Sequence, residues 1–173
     1  MSDPLWQGRF LAVHREGNWE YAARTNDISA AVIVAVDAEG YLLLVEQHRI
    51  PVGRVCLELP AGLVGDDSAG ESVVDAARRE LEEETGYRAA TIEDHGEFCS
   101  SPGMTSETFT LVVAKGLVRV GDGGGHEGED IIVHRVPLAD VGEFVARKRR
   151  EGLAVDAKML LVLGAGILAA AAG

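Results

Sequence analysis

Positive charge is scarce in this chain of 173 residues: 16 Lys and Arg stand against 28 Asp and Glu, a formal net charge of −12. Surfaces that grip nucleic acid by neutralising phosphates need clustered Lys and Arg. General nucleic-acid binding is therefore set aside, and with it hydrolysis of RNA caps or ends, while a nucleotide held through metal ions is not. Cysteine is scarcer still. Cys56 and Cys99 are isolated in a chain without an export signal and read as reduced core residues rather than a disulfide. The first residues, Met1 to Phe10, lack both the basic start and the apolar run of such a signal, so cytoplasmic residence is the expectation. Long apolar runs are also missing. Met159–Ala172 is apolar apart from Gly164 and Gly166, but it is shorter than the ~20 residues a membrane helix needs and its end is Ala-rich. It reads as a buried or dimer-facing terminal helix, and no membrane partner is expected. There are no internal repeats.

What is present is ample apolar content, 47% of residues, enough for one core in one domain. Trp6–His14 and Trp19–Arg24 read as strands around the turn Glu16-Gly17-Asn18. Ser29–Val36 and Tyr41–Glu46 form a second pair around Asp37-Ala38-Glu39-Gly40, and Val55–Leu59 is a short strand leading into Pro60-Ala61-Gly62. A helix is expected over about 70–85, then strands near Thr91–Phe98, Glu107–Ala114 and Ile131–Val136, with the glycine loop 121–125 before the last. Helices near Leu138–Glu151 and Val155–Ala171, broken at Gly152, close the chain. The fold class is therefore α/β, of mixed α+β character, with a mixed sheet sandwiched between helices. Residues 1–28 form a hairpin appendage suited to dimerisation, and 29–173 the main domain.

The segment Arg79-Glu80-Leu81-Glu82-Glu83-Glu84-Thr85-Gly86-Tyr87 packs four carboxylates into five positions. Carboxylates one helical turn apart, such as Glu80 and Glu84, repel by roughly 0.2–0.5 kcal/mol per pair, and Glu83 adds to the same face. An isolated acidic run is a solvated face. Here the flanks say otherwise, because Gly65, Glu71, Arg79, Glu80, Leu81, Glu83, Glu84, Gly86 and Tyr87 fall at the spacing Gly-x5-Glu-x7-Arg-Glu-apolar-x-Glu-Glu-x-Gly-apolar. Ser68 and Glu71 stand at capping-box spacing, Gly86 suits a left-handed cap, and Val73, Ala77 and Leu81 recur every four residues to face a sheet. Paired hard oxygens suit Mg²⁺ or Mn²⁺, which keep several waters and also take substrate phosphates.

That spacing is the whole Nudix box, and on it the chain resembles the Nudix hydrolase superfamily. Three further marks resemble its ADP-ribose pyrophosphatase branch. They are Leu57-Glu58-Leu59-Pro60-Ala61-Gly62 with Val45-Glu46-Gln47-His48-Arg49 upstream, then Pro102 fifteen residues beyond Tyr87, and Glu127-Gly128-Glu129-Asp130-Ile131 after the glycine loop. By position, the resemblance implies that Glu80, Glu84 and Glu129 are metal ligands, with Glu83 a ligand or their hydrogen-bonded neighbour. It implies that Glu127 deprotonates or orients the attacking water, that Arg79 and Glu71 hold helix and loop in register, and that Arg49 contacts a substrate phosphate or ribose, its planar fork matching phosphate oxygens. Glu58 and Glu107 read as substrate-binding residues or as strand-end carboxylates, and His126 as a solvated loop residue or one titrating near the site.

One departure stands out: eight residues separate Gly62 from Glu71 where the family has five, and Gly65 restores the formal spacing. A backbone carbonyl before that glycine is a metal ligand in the family. Ala61 or Val64 inherits the role here, and Leu-Pro-Ala-Gly favours Ala61, with 63–70 an expanded loop. The implied activity is Mg²⁺-dependent hydrolysis of ADP-ribose to AMP and ribose 5-phosphate by a homodimer that exchanges its N-terminal strands. The alternatives are a broader nucleoside diphosphate sugar hydrolase acting on ADP-glucose or GDP-mannose, and a nucleotide sensor without activity.

Overall fold

In two neighbouring strands, alternation decides the layering. Strand side chains point to opposite faces in turn. In β4 (Ala30–Ala35) and β5 (Tyr41–Arg49), Ala31, Ile33, Ala35 and Leu43 pack with Ala77 and Leu81 of helix α1 (Val73–Thr85). Val32, Leu42 and Leu44 turn the other way, onto Val141 and Val145 of α2 (Val141–Arg150) and Met159, just before α3 (Leu160–Ala172). Helices thus cover both faces of the strand layer, as expected. The computed structural model describes residues 3–26, 28–65, 70–126 and 128–172, with side chains as far as Ile167.

Two four-stranded sheets carry this layer. One has the order β7-β4-β10-β9, with β7 Ala61–Leu63, β9 Thr91–Cys99 and β10 Thr108–Lys115, and its β4–β10 pair is parallel. The other runs β12-β5-β6-β13, with β6 Arg54–Glu58, β12 Ile132–Pro137 and β13 Ala154–Val155. A minor pair, β8 (Tyr87–Arg88) with β11 (Val118–Arg119), follows the helix. Of these, β7, β8, β11 and β13 were not expected: each is two or three residues long and has no alternation to reveal it.

Several boundaries differ from the sequence reading. The box helix begins at Val73, not near 70, and Ser72 is its cap, the Oγ accepting the Asp75 N–H at 3.1 Å. Ser68 lies outside the described residues, and Glu71 spends its carboxylate on Arg79 and the Gly65 N–H. Gly86 does cap the C-terminus at φ 74°, donating to the Glu82 carbonyl at 2.9 Å. Val155 belongs to β13, paired with Leu57 of β6, rather than to the last helix, because Gly152 at φ 95° ends α2 and turns the chain back to the sheet. Leu138–Asp140 is a separate 3-10 turn. Cys56 is a buried free thiol as expected, but Cys99, at the exposed end of β9, is not a core residue.

The N-terminal segment is a three-stranded antiparallel sheet, not a plain hairpin: β1 (Trp6–Gln7), β2 (Leu11–Glu16) and β3 (Trp19–Arg24). Gly8 interrupts the first expected strand, since a Cβ there would lie 2.6 Å from the Trp6 ring. This sheet is fastened to the main layer by Ala22, whose N–H donates to the Met104 carbonyl and whose carbonyl accepts from Ser106 N–H, both at 3.0 Å, and by an Arg24–Glu107 ion pair at 2.7 Å. Among the described residues no helix is long and apolar enough to cross a membrane.

Candidate active site

Helix α1 presents its box residues to β7 and to the glycine loop. Arg79 is the hub: its guanidinium donates to Glu71 at 3.1 Å, Glu80 at 2.7 Å, Glu83 at 3.0 Å and the Leu63 carbonyl at 3.3 Å. Glu71 is held well below the usual carboxylate range, chiefly by the Arg79 fork and further by the Gly65 N–H. These contacts tie the loop at Leu63–Gly65 to the helix.

Glu84 sits differently. It is 5% exposed, and among the described residues its carboxylate's one hydrogen bond comes from the Ala61 N–H at 3.1 Å. Burial pushes its carboxyl up to about 8, with the charges of Glu80 and Glu129 adding to the rise against the pull of Ala61 N–H and Arg49. Burial raises Glu80 as well, against the attraction of Arg79. Space for Glu80 exists because residue 62 is glycine: a Cβ there would fall 1.9 Å from the Glu80 carboxyl carbon. Ala61 therefore lies against Glu84, while Val64 packs toward the α1 core and donates to the Ser29 carbonyl.

The glycine loop closes over the end of α1. Gly124 and Gly125 donate to the carbonyls of Glu84 and Glu83 at 2.9 and 3.0 Å. A Cβ at Gly123 would come within 2.5 Å of Thr85, and one at Gly86 within 2.4 Å of the Gly121 carbonyl, so the two backbones meet in contact only glycine allows. Beyond this seam, His126 Nε2 reaches Glu83 at 3.1 Å and the His126 N–H donates to Glu129 at 3.0 Å. His126 is thus an exposed loop residue that also touches the carboxylate group. Glu127 lies outside the described residues.

Whether these residues suit a divalent ion is decided by their chemistry. Among the described residues no three His, Cys, Asp or Glu side chains are gathered as a ligand group, since Arg79 engages Glu80 and Glu83. Yet a buried carboxyl raised to about 8 beside two further carboxylates is a cost that a hard cation relieves. The chemistry of the donors suits one: Glu80, Glu84, Glu129 and the Ala61 carbonyl are the groups that would hold it, with Glu80 exchanging Arg79 for the ion.

Alongside Ala61 and Gly62 opens a pocket of about 310 Å³ whose charged and polar wall is Arg24, Arg49, Glu58, Ser100, Glu107 and Lys158. Arg49 lies on β5 rather than in a loop, and both its ends are bonded at 2.7 Å to Glu58. Glu107 holds Arg24 and is 3.2 Å from the Ser100 hydroxyl. Glu58 and Glu107 thus each pair with an arginine of the pocket wall. Pro102 stands away from this wall, beside Trp19 and Tyr21 in a second cleft of about 390 Å³. Arg24 and Lys158 were not anticipated, being far from the box in sequence. A roomier cavity of about 540 Å³ between α2 and α3 is walled by apolar groups such as Met159 and Leu163 and contains none of these residues.

A NUDIX domain model matches residues 26–159, and the chain belongs to the Nudix hydrolase family, in its ADP-ribose pyrophosphatase-like branch. It is 38% identical over 153 residues to an ADP-ribose pyrophosphatase of Mycobacterium tuberculosis, covering 84% of this chain and 73% of that protein. It is 40% identical over 110 residues to putative nudix hydrolase 2 of Caenorhabditis elegans, a match over 63% of this chain that spans only 46% of that protein's length. A crystal structure of an ADP compounds hydrolase shares the fold at a TM-score of 0.65 and 24% identity, covering 87% of this chain and 91% of that one.

Proposed function

We propose that the protein hydrolyses the diphosphate of ADP-ribose, giving AMP and ribose 5-phosphate, with Mg²⁺ as the natural ion and Mn²⁺ able to replace it. The observation that carries this reading is the junction of two unlike sites at Ala61-Gly62: buried carboxylates of α1 on one side, a pocket of paired cations on the other. Bound at the carboxylates, the divalent ions would supply charge neutralisation for the diphosphate and acidify a water. The chain does the rest by positioning. Glu84 and Glu80 hold the ion side of the diphosphate, Arg79 and Glu71 keep the helix and the Leu63–Gly65 turn fixed, and Arg49 offers a planar fork to a phosphate or ribose. Glu127 is assigned the proton of the attacking water and Glu129 a ligand role, following the family's spacing. Glu83, bridging Arg79 and His126, orients the loop against the helix.

A second reading, a broader nucleoside diphosphate sugar hydrolase acting on ADP-glucose or GDP-mannose, draws on the pocket wall, whose charged hydrogen-bonding groups suit the hydroxyls of more than one sugar. A sensor without activity is disfavoured by the intact box. Product release measured across ADP-ribose and nucleotide sugars, with Mg²⁺ and with Mn²⁺, separates these: ADP-ribose should lead in kcat/KM, equal rates for hexose substrates favour the second reading, and no turnover of any would sink both.

We also infer a homodimer built on the N-terminal sheet, residues 1–28 acting as the appendage. Trp6, Phe10 and Trp19 are each about 60% exposed there, an apolar patch that a second copy would cover. Because Arg24 of the same sheet walls the pocket, deleting the segment should abolish dimerisation and raise KM together. Light scattering that finds the whole protein monomeric at micromolar concentration would defeat this inference.

A further inference from the structure

The C-terminal segment delivers one cation to the pocket that no box or upstream motif accounts for. Lys158 lies in the 3-10 turn Ala157–Met159, between β13 and α3. Asp156 holds it twice, accepting the Lys158 backbone N–H and the Nζ at 2.7 Å each through different carboxylate oxygens. Its stem passes the Phe109 ring, with Nζ 5.9 Å from the ring centre, and the residue lines the same pocket as Arg49, Glu58, Ser100 and Glu107. A lysine normally gives up rotamer freedom when it binds a ligand. This one is already confined, because Asp156, Phe109 and the turn itself fix the side chain before any ligand arrives, and preorganised donors bind at lower cost.

The surroundings define what such a donor would meet. Glu58 and Glu107 accept hydrogen bonds, Arg24 and Arg49 donate them, Ser100 does either, and Arg24, Arg49 and Lys158 each have a carboxylate of their own. Donors and acceptors interleaved in this way match a polyhydroxylated group. A purine would need an open flat apolar face; the Phe109 ring of this pocket is 6% exposed and already stacked on Phe98, whereas Trp19, 64% exposed, and Tyr21 line the other cleft. We propose that Lys158 is a specificity-determining residue that contacts the sugar half of the substrate, the part remote from the nucleoside. This rests on the hydrolase reading above and assigns one end of its substrate to one wall of the pocket.

The test uses the full-length enzyme with Lys158→Met and Lys158→Arg. Loss of one charge-assisted hydrogen bond should raise KM for ADP-ribose about tenfold, with kcat within about twofold. Inhibition by ribose 5-phosphate should weaken by a similar factor while inhibition by AMP is unchanged, and Lys158→Arg should recover most of the loss. A thermal melt within a few degrees of the parent shows that the Met variant is folded. An unchanged KM, or AMP inhibition weakened instead of ribose 5-phosphate inhibition, overturns the assignment. A parent enzyme that turns over no nucleotide sugar would overturn the activity itself, an outcome distinct from either.

Discussion

Along α1 and just before it, Glu71, Glu80 and Glu83 all lean on Arg79 and, among the described residues, the Glu84 carboxylate has only a backbone N–H, whereas in the adjoining pocket Arg24, Arg49 and Lys158 each have a carboxylate of their own. The first region is short of positive charge, a deficit that a divalent ion would relieve. The second is balanced within the chain, and a ligand there would exchange one hydrogen-bond partner for another. Under the proposed function, the charge deficit is where the diphosphate would be attacked and the charge balance is where the sugar half would rest.

The sharpest way to break this contrast is Glu84→Gln, which keeps the shape and removes the charge that only the first region needs. A fall in kcat of about 10³-fold is expected, with circular dichroism unchanged. Activity within about threefold of the parent would end the metal assignment.

A smaller but more diagnostic effect is the pH dependence of stability in chelator. With its folded pKa near 8, above the ordinary 4.5, Glu84 keeps a proton between those values that the unfolded chain has released. That contribution to stability is present at low pH and is lost as pH rises through about 8. The burial of His134 lowers its pKa and works in the opposite direction near neutrality, so the comparison is with Glu84→Gln, which retains the His134 effect. Urea denaturation in EDTA at pH 5.5 and 8.5 should show the parent losing up to a few kcal/mol more than the variant, with Mg²⁺ shrinking the loss. Parallel behaviour of the two proteins would contradict the raised carboxyl.

The mildest test concerns the glycine seam that joins helix and loop. Gly123→Ala places a Cβ 2.5 Å from Thr85 in a left-handed backbone conformation, while a Cβ at Gly121 meets nothing nearer than the Gly86 Cα at 3.9 Å. The first should cost about 1–3 kcal/mol of stability and lower kcat roughly tenfold, and the second should behave as the parent in melts and steady-state kinetics. Equal behaviour of the pair would show that the seam does not position the loop.

Much of the α1 region was legible because its residues are neighbours along one helix, where 3.6 residues per turn set which side chains share a face. The pocket was legible only in part. Arg49, Glu58 and Glu107 stood out through flanking motifs, but Arg24 and Lys158 come from the appended sheet and from a 3-10 turn, with no local pattern that ties them to a site built from distant parts of the chain. The short strands β7 and β13 escaped for a related reason: pairing with β4 and β6, not propensity, makes them strands.

The chain's own order of residues settles the box helix, its capping by Gly86, the crowding of its carboxylates and the overall acidity, all consequences of local spacing and composition. Tertiary structure alone decides how the carboxylates differ. Glu82 and Glu84 are two positions apart in one acidic run, yet Glu82 turns outward to pair with Arg88 while Glu84 is sealed beneath Ala61 and raised to about 8. Burial sets that difference, and burial depends on β7 and the glycine loop being packed against the helix from distant parts of the chain.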